Sequence, residues 1–257
     1  MDLFSFAPIA AVLDIAYQGV EHLAALLSPL TGGASAAIAI VVLTVLVRGA
    51  LVPVGISQVK AEWNRRRLAP RLQALQRRYT KNPQLLQQKT LELYREEKAS
   101  PFAGMLPALA QAPVLSFVYA LFVRSSVDGH ANALLGQHLF GVPLGTSFVH
   151  LAGSAAAWPG ILVYLVLFAL LGVTAWATRR TTLRLALPQA GPLPGLTHAL
   201  SWLPFITIVF AAIVPLAATL YLTTTTAWTL GERALLRRRY WRPDGAVPTV
   251  PAVARRA

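Results

Sequence analysis

The chain has no cysteine, which excludes a disulfide framework, a thiolate metal site and a lipid-modified cysteine near its start. Charge is scarce too: 13% of the 257 residues are charged, and Asp and Glu number only 10 against 23 Lys and Arg. Lys and Arg are absent from residues 1–32 and again from 125–157. There is no Gly-Lys-Ser/Thr phosphate loop and no His-Glu-x-x-His pair, so the common signatures of nucleotide hydrolysis and zinc chemistry are missing. What fills the chain is apolar: 55% of residues are hydrophobic and the mean hydropathy is +0.54. That composition excludes an ordinary soluble domain and indicates an integral membrane protein. The formal charge of +13 fits nucleic acid, anionic lipid or the cytoplasmic faces of a polytopic protein, so its placement decides its meaning.

Apolar runs predict spans at about Ala34–Val54, Phe102–Val123 and Trp158–Ala177. The block Ala199–Leu230 is too long for one span and carries Pro204 and Pro215, which predicts two helices, 200–213 and 215–232. The first of that pair is short of the bilayer's hydrocarbon core, so the membrane is expected to thin there or neighbours to bury it. Basic residues then alternate as five spans require. Eleven fall in 57–100, three in 179–198 and seven from Arg233 onward, leaving Arg48 and Arg124. This pattern puts the N-terminus outside and the C-terminus in the cytoplasm. The absence of a basic n-region in residues 1–32 predicts that this stretch is retained rather than cleaved as a signal peptide. Within it, Asp14, Gln18, Glu21 and His22 form a polar stripe on an otherwise apolar helix. An amphipathic helix lying in the outer interface and a first spanning helix both fit that stripe; the interfacial reading also accounts for the low charge.

The expected fold is therefore an all-α polytopic membrane protein of five transmembrane helices around a hydrophilic groove. It divides into an extracytoplasmic segment 1–32, a first span 33–56, a cytoplasmic helical hairpin 57–101, a second span 102–124 and an extracytoplasmic loop 125–157. A third span 158–178, a cytoplasmic loop 179–198, the fourth and fifth spans 199–232 and a basic cytoplasmic tail 233–257 complete it. The hairpin is read from two stripes, Leu68, Leu72, Leu75, Tyr79 and Leu86, Thr90, Leu93, Glu97. Thr80-Lys81-Asn82 marks its turn, because Asn82 is a good N-cap and Pro83 suits the first helical position. Pro70 is expected to kink or restart the first arm.

Arg48 is the residue that composition alone cannot place. A guanidinium near a helix centre costs about 2.5–3.5 kcal/mol on insertion scales, so water or an acidic partner must receive it. No Asp or Glu lies in any of the five spans. Arg48 is thus expected to face a hydrated cavity; snorkelling is the plainer alternative, because the cytoplasmic end near Val54 is only about 9 Å away by helical rise. Thr44 lies one turn earlier on the same face, and Thr219, Thr223 and Thr226 form a further stripe. A single threonine in a membrane helix usually bonds its own i−4 carbonyl, but together these side chains outline a positively charged groove. His130, His138 and His150 are read as loop residues, and no metal or cofactor is expected.

In order and spacing, four stretches resemble the YidC/Oxa1/Alb3 insertases: Val47-Arg48-Gly49-Ala50-Leu51-Val52-Pro53, Arg71-Leu72-Gln73-Ala74-Leu75-Gln76, Leu93-Tyr94-Arg95-Glu96-Glu97-Lys98, and Pro101-Phe102-Ala103-Gly104-Met105-Leu106-Pro107 with Gln111-Ala112-Pro113. The resemblance covers about residues 34–124 well and Val214–Trp228 more weakly, and fits the short five-span bacterial form. It implies a non-enzymatic insertase and chaperone that inserts and helps fold nascent integral membrane proteins without ATP hydrolysis, in the bacterial plasma (inner) membrane. It also implies a substrate groove open to cytoplasm and lipid, with Arg48, Thr44, Gln111, Ala112 and Pro113 along it; the stripe Thr219, Thr223 and Thr226 and the retained Tyr221 are the candidate lining from the last span. Nascent membrane proteins and the lipid bilayer are the implied partners, with a ribosome, a targeting receptor and a Sec translocon as further candidates. The chain departs from the family's pattern at Pro215–Leu222, where Leu222 replaces a second aromatic after Tyr221, and in having Met105 as its one methionine beyond Met1. A small solute transporter or channel is the alternative; the five unequal spans show neither the repeats nor the midplane ion pairs usual in that class. A membrane-embedded enzyme would need acids or motifs that the spans lack.

Overall fold

The computed structural model of the chain describes residues 7–97, 99, 121–123, 126–127, 130–154, 158–186 and 196–240. Most of these are helical. The order is α1 (Ala7–Thr31), a 3₁₀ turn (Gly32–Ala34), α2 (Ser35–Ala50), α3 (Val52–Arg78), α4 (Pro83–Glu96), β1 (Ser126–Val127), β2 (His130–Ala131), a 3₁₀ turn (Ala133–Gly136), β3 (His138–Leu139), β4 (Val142–Pro143), α5 (Phe148–Ala152), α6 (Gly160–Arg184), α7 (Leu196–Leu200), α8 (Leu203–Ile213) and α9 (Leu216–Tyr240). The chain forms two units, residues 1–51, 110–186 and 193–231 in one, and 52–109, 187–192 and 232–257 in the other.

The larger unit is built around small and apolar side chains. Val20 of α1, Ala36, Ala37, Ala39 and Ile40 of α2, Leu121, Phe122, Tyr164 and Leu167, and Leu216–Ala218, Leu220 and Tyr221 of α9 make one buried cluster. Alanine at the contacts lets helix backbones approach closely, which is how helices gain packing energy where lipid competes for apolar surface. Gly32, at φ +53, lets the chain change direction between α1 and α2.

Two helical stretches, Asp14–Ala50 and Gly160–Arg184, are long and apolar enough to cross a membrane, and His198–Ile213 is a shorter apolar run. Only 28% and 33% of the two long windows are buried, the reverse of a soluble core helix. On α6, Tyr164, Leu167, Leu171 and Thr174 face inward, while Leu162, Leu165, Val166, Leu170, Val173 and Trp176 are exposed. On α8, Leu203, Ile206, Val209, Phe210 and Ile213 are exposed in the same way. Exposed apolar stripes this long mark a surface that meets lipid or another apolar surface. The split at the two prolines follows the expectation. Pro204 sits in the first turn of α8, and Val214-Pro215 separates α8 from α9.

The segment 130–154, within the expected extracytoplasmic loop 125–157, carries local structure and packs down onto α9. β3 and β4 pair antiparallel around Phe140-Gly141, both with positive φ (48 and 82), the geometry of a two-residue primed turn. Val142 and Leu144 are buried. The first turn of α9 has amide donors with no intrahelical acceptor, and this segment supplies the acceptors: Leu216 N donates to Thr146 O (2.9 Å) and Ala217 N to Leu144 O (2.9 Å). The Tyr164 hydroxyl donates to the same Thr146 carbonyl (2.6 Å), with its ring against Phe148 and Phe168. On the other side, Ala133 N donates to the Tyr17 hydroxyl of α1 (3.1 Å).

The smaller unit contains the helical hairpin, with its turn where the sequence places it. The Asn82 side chain accepts from Leu85 N (3.1 Å) and Pro83 opens α4. Leu68 and Leu93 are buried and the other apolar stripe positions half-buried. Arg67 (2.9 Å) and Arg71 both pair with Glu97, so the acid on the weaker stripe closes the two arms. The helix α3 runs through Pro70 without restarting, which corrects that half of the expectation: the ring costs one backbone bond, and the rest of the helix's ladder carries across it. Near the start of α3, Glu62 pairs with Arg237 (3.1 Å) and Arg66 (3.6 Å), and Lys60 stacks on Tyr240 (5.3 Å). Burial lowers the pKa of the Arg66 guanidinium, with Glu62 opposing the shift and Arg237 adding to it. Gly55 has a packing role, since a Cβ there would fall onto the Glu232 carboxylate. The cap gives a first prediction. Asn82→Ala removes about 1 kcal/mol from the start of α4, so amide exchange at Leu85 and Leu86 should speed up about fivefold with the rest of the chain unchanged. Unchanged exchange there would mean that tertiary packing, not the cap, sets the turn.

Candidate functional site

Arg48 stands in the last turn of α2, half-buried. The helix closes at Leu51, whose N–H donates to Val47 O (3.1 Å), and α3 begins at Val52. The unbroken span to Val54 expected from hydropathy is therefore interrupted, and Arg48 is about 3 Å by helical rise from the end of its own helix rather than 9 Å. That placement has an electrostatic reason. The carbonyls ending α2 carry the negative pole of the helix, where a cation is favoured.

Across from it, Arg48 Nε donates to the Thr225 hydroxyl of α9 (3.3 Å). Among the described residues no carboxylate pairs with this guanidinium, and its remaining N–H donors find no hydrogen-bond acceptor. Thr225 is the threonine that sequence periodicity missed. The stripe 219, 223, 226 follows one face of α9, whereas the residue meeting Arg48 depends on how α9 is rotated against α2. The one available signal was the run of four threonines at 223–226.

The other threonines behave differently. Thr44 is buried and donates to Ile40 O (2.6 Å); Thr223 is buried and donates to Thr219 O (2.8 Å); Thr226 is half-buried and donates to Leu222 O (2.8 Å). Thr219 is fully buried, and its hydroxyl joins two helices by donating to Ala211 O of α8 (2.8 Å) while also reaching Pro215 O (3.3 Å). Tyr221 is buried with its ring 6.4 Å from that of Phe122, inside the packed cluster. The structure thus brings Arg48 together with the threonine run of α9, keeps Thr44 one turn behind it, and places Thr219 and Tyr221 in the core. Gln111, Ala112 and Pro113 lie outside the described residues.

A charged donor group with unused N–H bonds, held at one point by a hydroxyl on the facing helix, can accept carboxylate or carbonyl oxygens from a passing chain.

The chain matches known proteins over most of its length. The family model described as "60Kd inner membrane protein" covers residues 26–242. Among curated proteins, the membrane protein insertase YidC of Clostridium perfringens is 34% identical over 115 residues, 45% of this chain and 48% of that protein. The YidC of Zymomonas mobilis is 29% identical over 210 residues, 80% of this chain and 35% of that one. The YidC of Fusobacterium nucleatum is 39% identical over 104 residues, 40% and 49% of the two chains. The matches span half or less of these relatives' own lengths. With residues 26–242 matched by one family model, the chain belongs to the 60Kd inner membrane protein family, the YidC/Oxa1 family, and is a transmembrane protein of the bacterial inner membrane.

Proposed function

We propose that the protein is a membrane protein insertase that works through a positively charged intramembrane groove without hydrolysing ATP. The observation that carries this reading is Arg48: a guanidinium in an apolar helix, facing a threonine run, with no carboxylate partner among the described residues. Such a group lowers the desolvation cost of an acidic or polar tail entering the membrane. The hydrophobic segment that follows the tail then partitions into lipid, and that transfer supplies the drive. Two short helices support a local thinning of the bilayer. At 1.5 Å per residue, α2 is about 24 Å long and α8 about 16 Å, against a hydrocarbon core of about 30 Å.

The five-span arrangement, with N-terminus outside and C-terminus in the cytoplasm, belongs to the same proposal. In it, segment 130–154 closes the outer side over the first turn of α9, and α1 lies in the outer interface, a placement supported by the Tyr17 bond to Ala133. The hairpin α3–α4, on the cytoplasmic side, receives the emerging chain or its targeting factor. The basic tail meets a ribosome by charge. Gln111, Ala112 and Pro113 continue the substrate path.

The direct test is photocrosslinking from positions 48 and 225 to a stalled nascent membrane protein, with position 20, fully buried, as the control. Crosslinks are expected from 48 and 225 and not from 20. Crosslinks from neither site would remove the groove, and solute uptake by the purified protein in vesicles would replace the insertase with a transporter.

A further inference from the structure

The exposed apolar stripe of α6 does not end in polar, neutral residues. It runs through Leu162, Val166, Leu170, Val173 and Trp176 and continues one turn on into Arg180 and then Arg184. From Leu162 to Arg180 is about 27 Å by helical rise, close to the hydrocarbon thickness, so the arginines fall at headgroup depth. Arg179, beside them, is stacked on a ring from outside α6: its guanidinium carbon is 4.3 Å from the centroid of Trp202, which precedes α8. Arg180 lies over Trp176 at 5.2 Å. Trp176 and Trp202 are both about half exposed.

Between Asp128 and Glu232 the sequence contains no acidic residue, and among the described residues none of the three arginines has an ion pair. Nε of Arg179 is buried and makes no hydrogen bond. The negative end of α6 accounts for a cation in its last turn, where Arg184 sits, but not for Arg179 held against the tryptophan that precedes α8.

We infer that Arg179, Arg180 and Arg184, framed by Trp176 and Trp202, bind the phosphate headgroup of an anionic phospholipid whose tails lie along the exposed faces of α6 and α8. A lipid fits better than a free anion because the apolar stripes run directly into the cationic cluster. Stacking fixes the guanidinium planes without consuming their N–H donors, which leaves them for phosphate oxygens. This inference does not depend on the insertase reading.

The test is native mass spectrometry of the purified full-length protein with phosphatidylglycerol and phosphatidylcholine of equal chain length. Phosphatidylglycerol should bind at least about tenfold more tightly, given roughly 1 kcal/mol for each basic residue near an anionic surface. Arg179→Gln/Arg180→Gln/Arg184→Gln should abolish that preference, while Arg77→Gln/Arg78→Gln on the hairpin should keep it. Millimolar inorganic phosphate should not displace the lipid. Should the triple variant not fold, Arg179→Gln alone carries the test, with an expected loss of about fivefold. Equal binding of the two lipids, a preference that survives the arginine substitutions, equal loss in the hairpin variant, or displacement by phosphate would each overturn the assignment.

Discussion

Arg48→Ala is expected to slow insertion of single-span substrates with acidic outer tails by tenfold to a hundredfold. A hydrogen bond to a charged group in a partly desolvated site contributes about 1.5–3 kcal/mol, and with the side chain gone the tail's carboxylates must shed water with nothing in return. Substrates with short neutral tails should slow less than about twofold, because their entry needs no counter-charge. Arg48→Lys keeps the charge but not the planar donor that meets Thr225, so it should stay within about threefold of the parent. Thr225→Val leaves the charge in place and removes the hydroxyl that fixes it, and should fall in that same range. The measurement is a protease-protection assay of insertion in cells depleted of their own insertase and supplied with each variant. If Arg48→Ala affected acidic and neutral tails equally, the charge would not be what acts on the tail, and a structural role at the end of α2 would take its place.

How much of this site the sequence discloses depends on the range of the interactions. The hairpin turn was readable because Asn82-Pro83 is local chemistry: a side-chain cap and a fixed φ act within four residues. The break before α9 was readable for the same reason at Pro215. The interruption of α2 at Leu51 was not, since Val47 to Val54 remains apolar and hydropathy does not register a helix closing and restarting within a hydrophobic run. Nor was the order in segment 130–154. Its carbonyls at Leu144 and Thr146 are bonded to amides about seventy residues away, and no spacing rule anticipates such a pairing. Thr219 and Tyr221 were legible as polar positions on one helix, but whether such a position faces a groove or the core is decided by the neighbours, and here it is Ala211 O and Phe122 that meet them.

Tyr164→Ala is expected to cost about 3–5 kcal/mol, the range for truncating a large, fully buried aromatic. The ring packs against both Phe148 and Phe168, which also touch each other, and its loss leaves a cavity beneath the segment that satisfies the first turn of α9. Tyr164→Phe separates the ring from its hydroxyl. The Thr146 carbonyl would keep the Leu216 N–H as a donor, so no buried acceptor is orphaned and the cost should be only about 0.5–1.5 kcal/mol. In detergent, the melting temperature should therefore drop by several degrees for the alanine variant and by little for phenylalanine. Limited proteolysis should cut the alanine variant first within residues 138–147, because that stretch loses the side chain that pins it to α6. Melting of the alanine variant at the parent temperature would show that the two bonds from α9 hold the segment by themselves. If the segment is the outer closure proposed above, the alanine variant should also leak small ions across vesicles while still crosslinking nascent chains from position 48, since Arg48 and Thr225 are held by α2 and α9 and not by this ring.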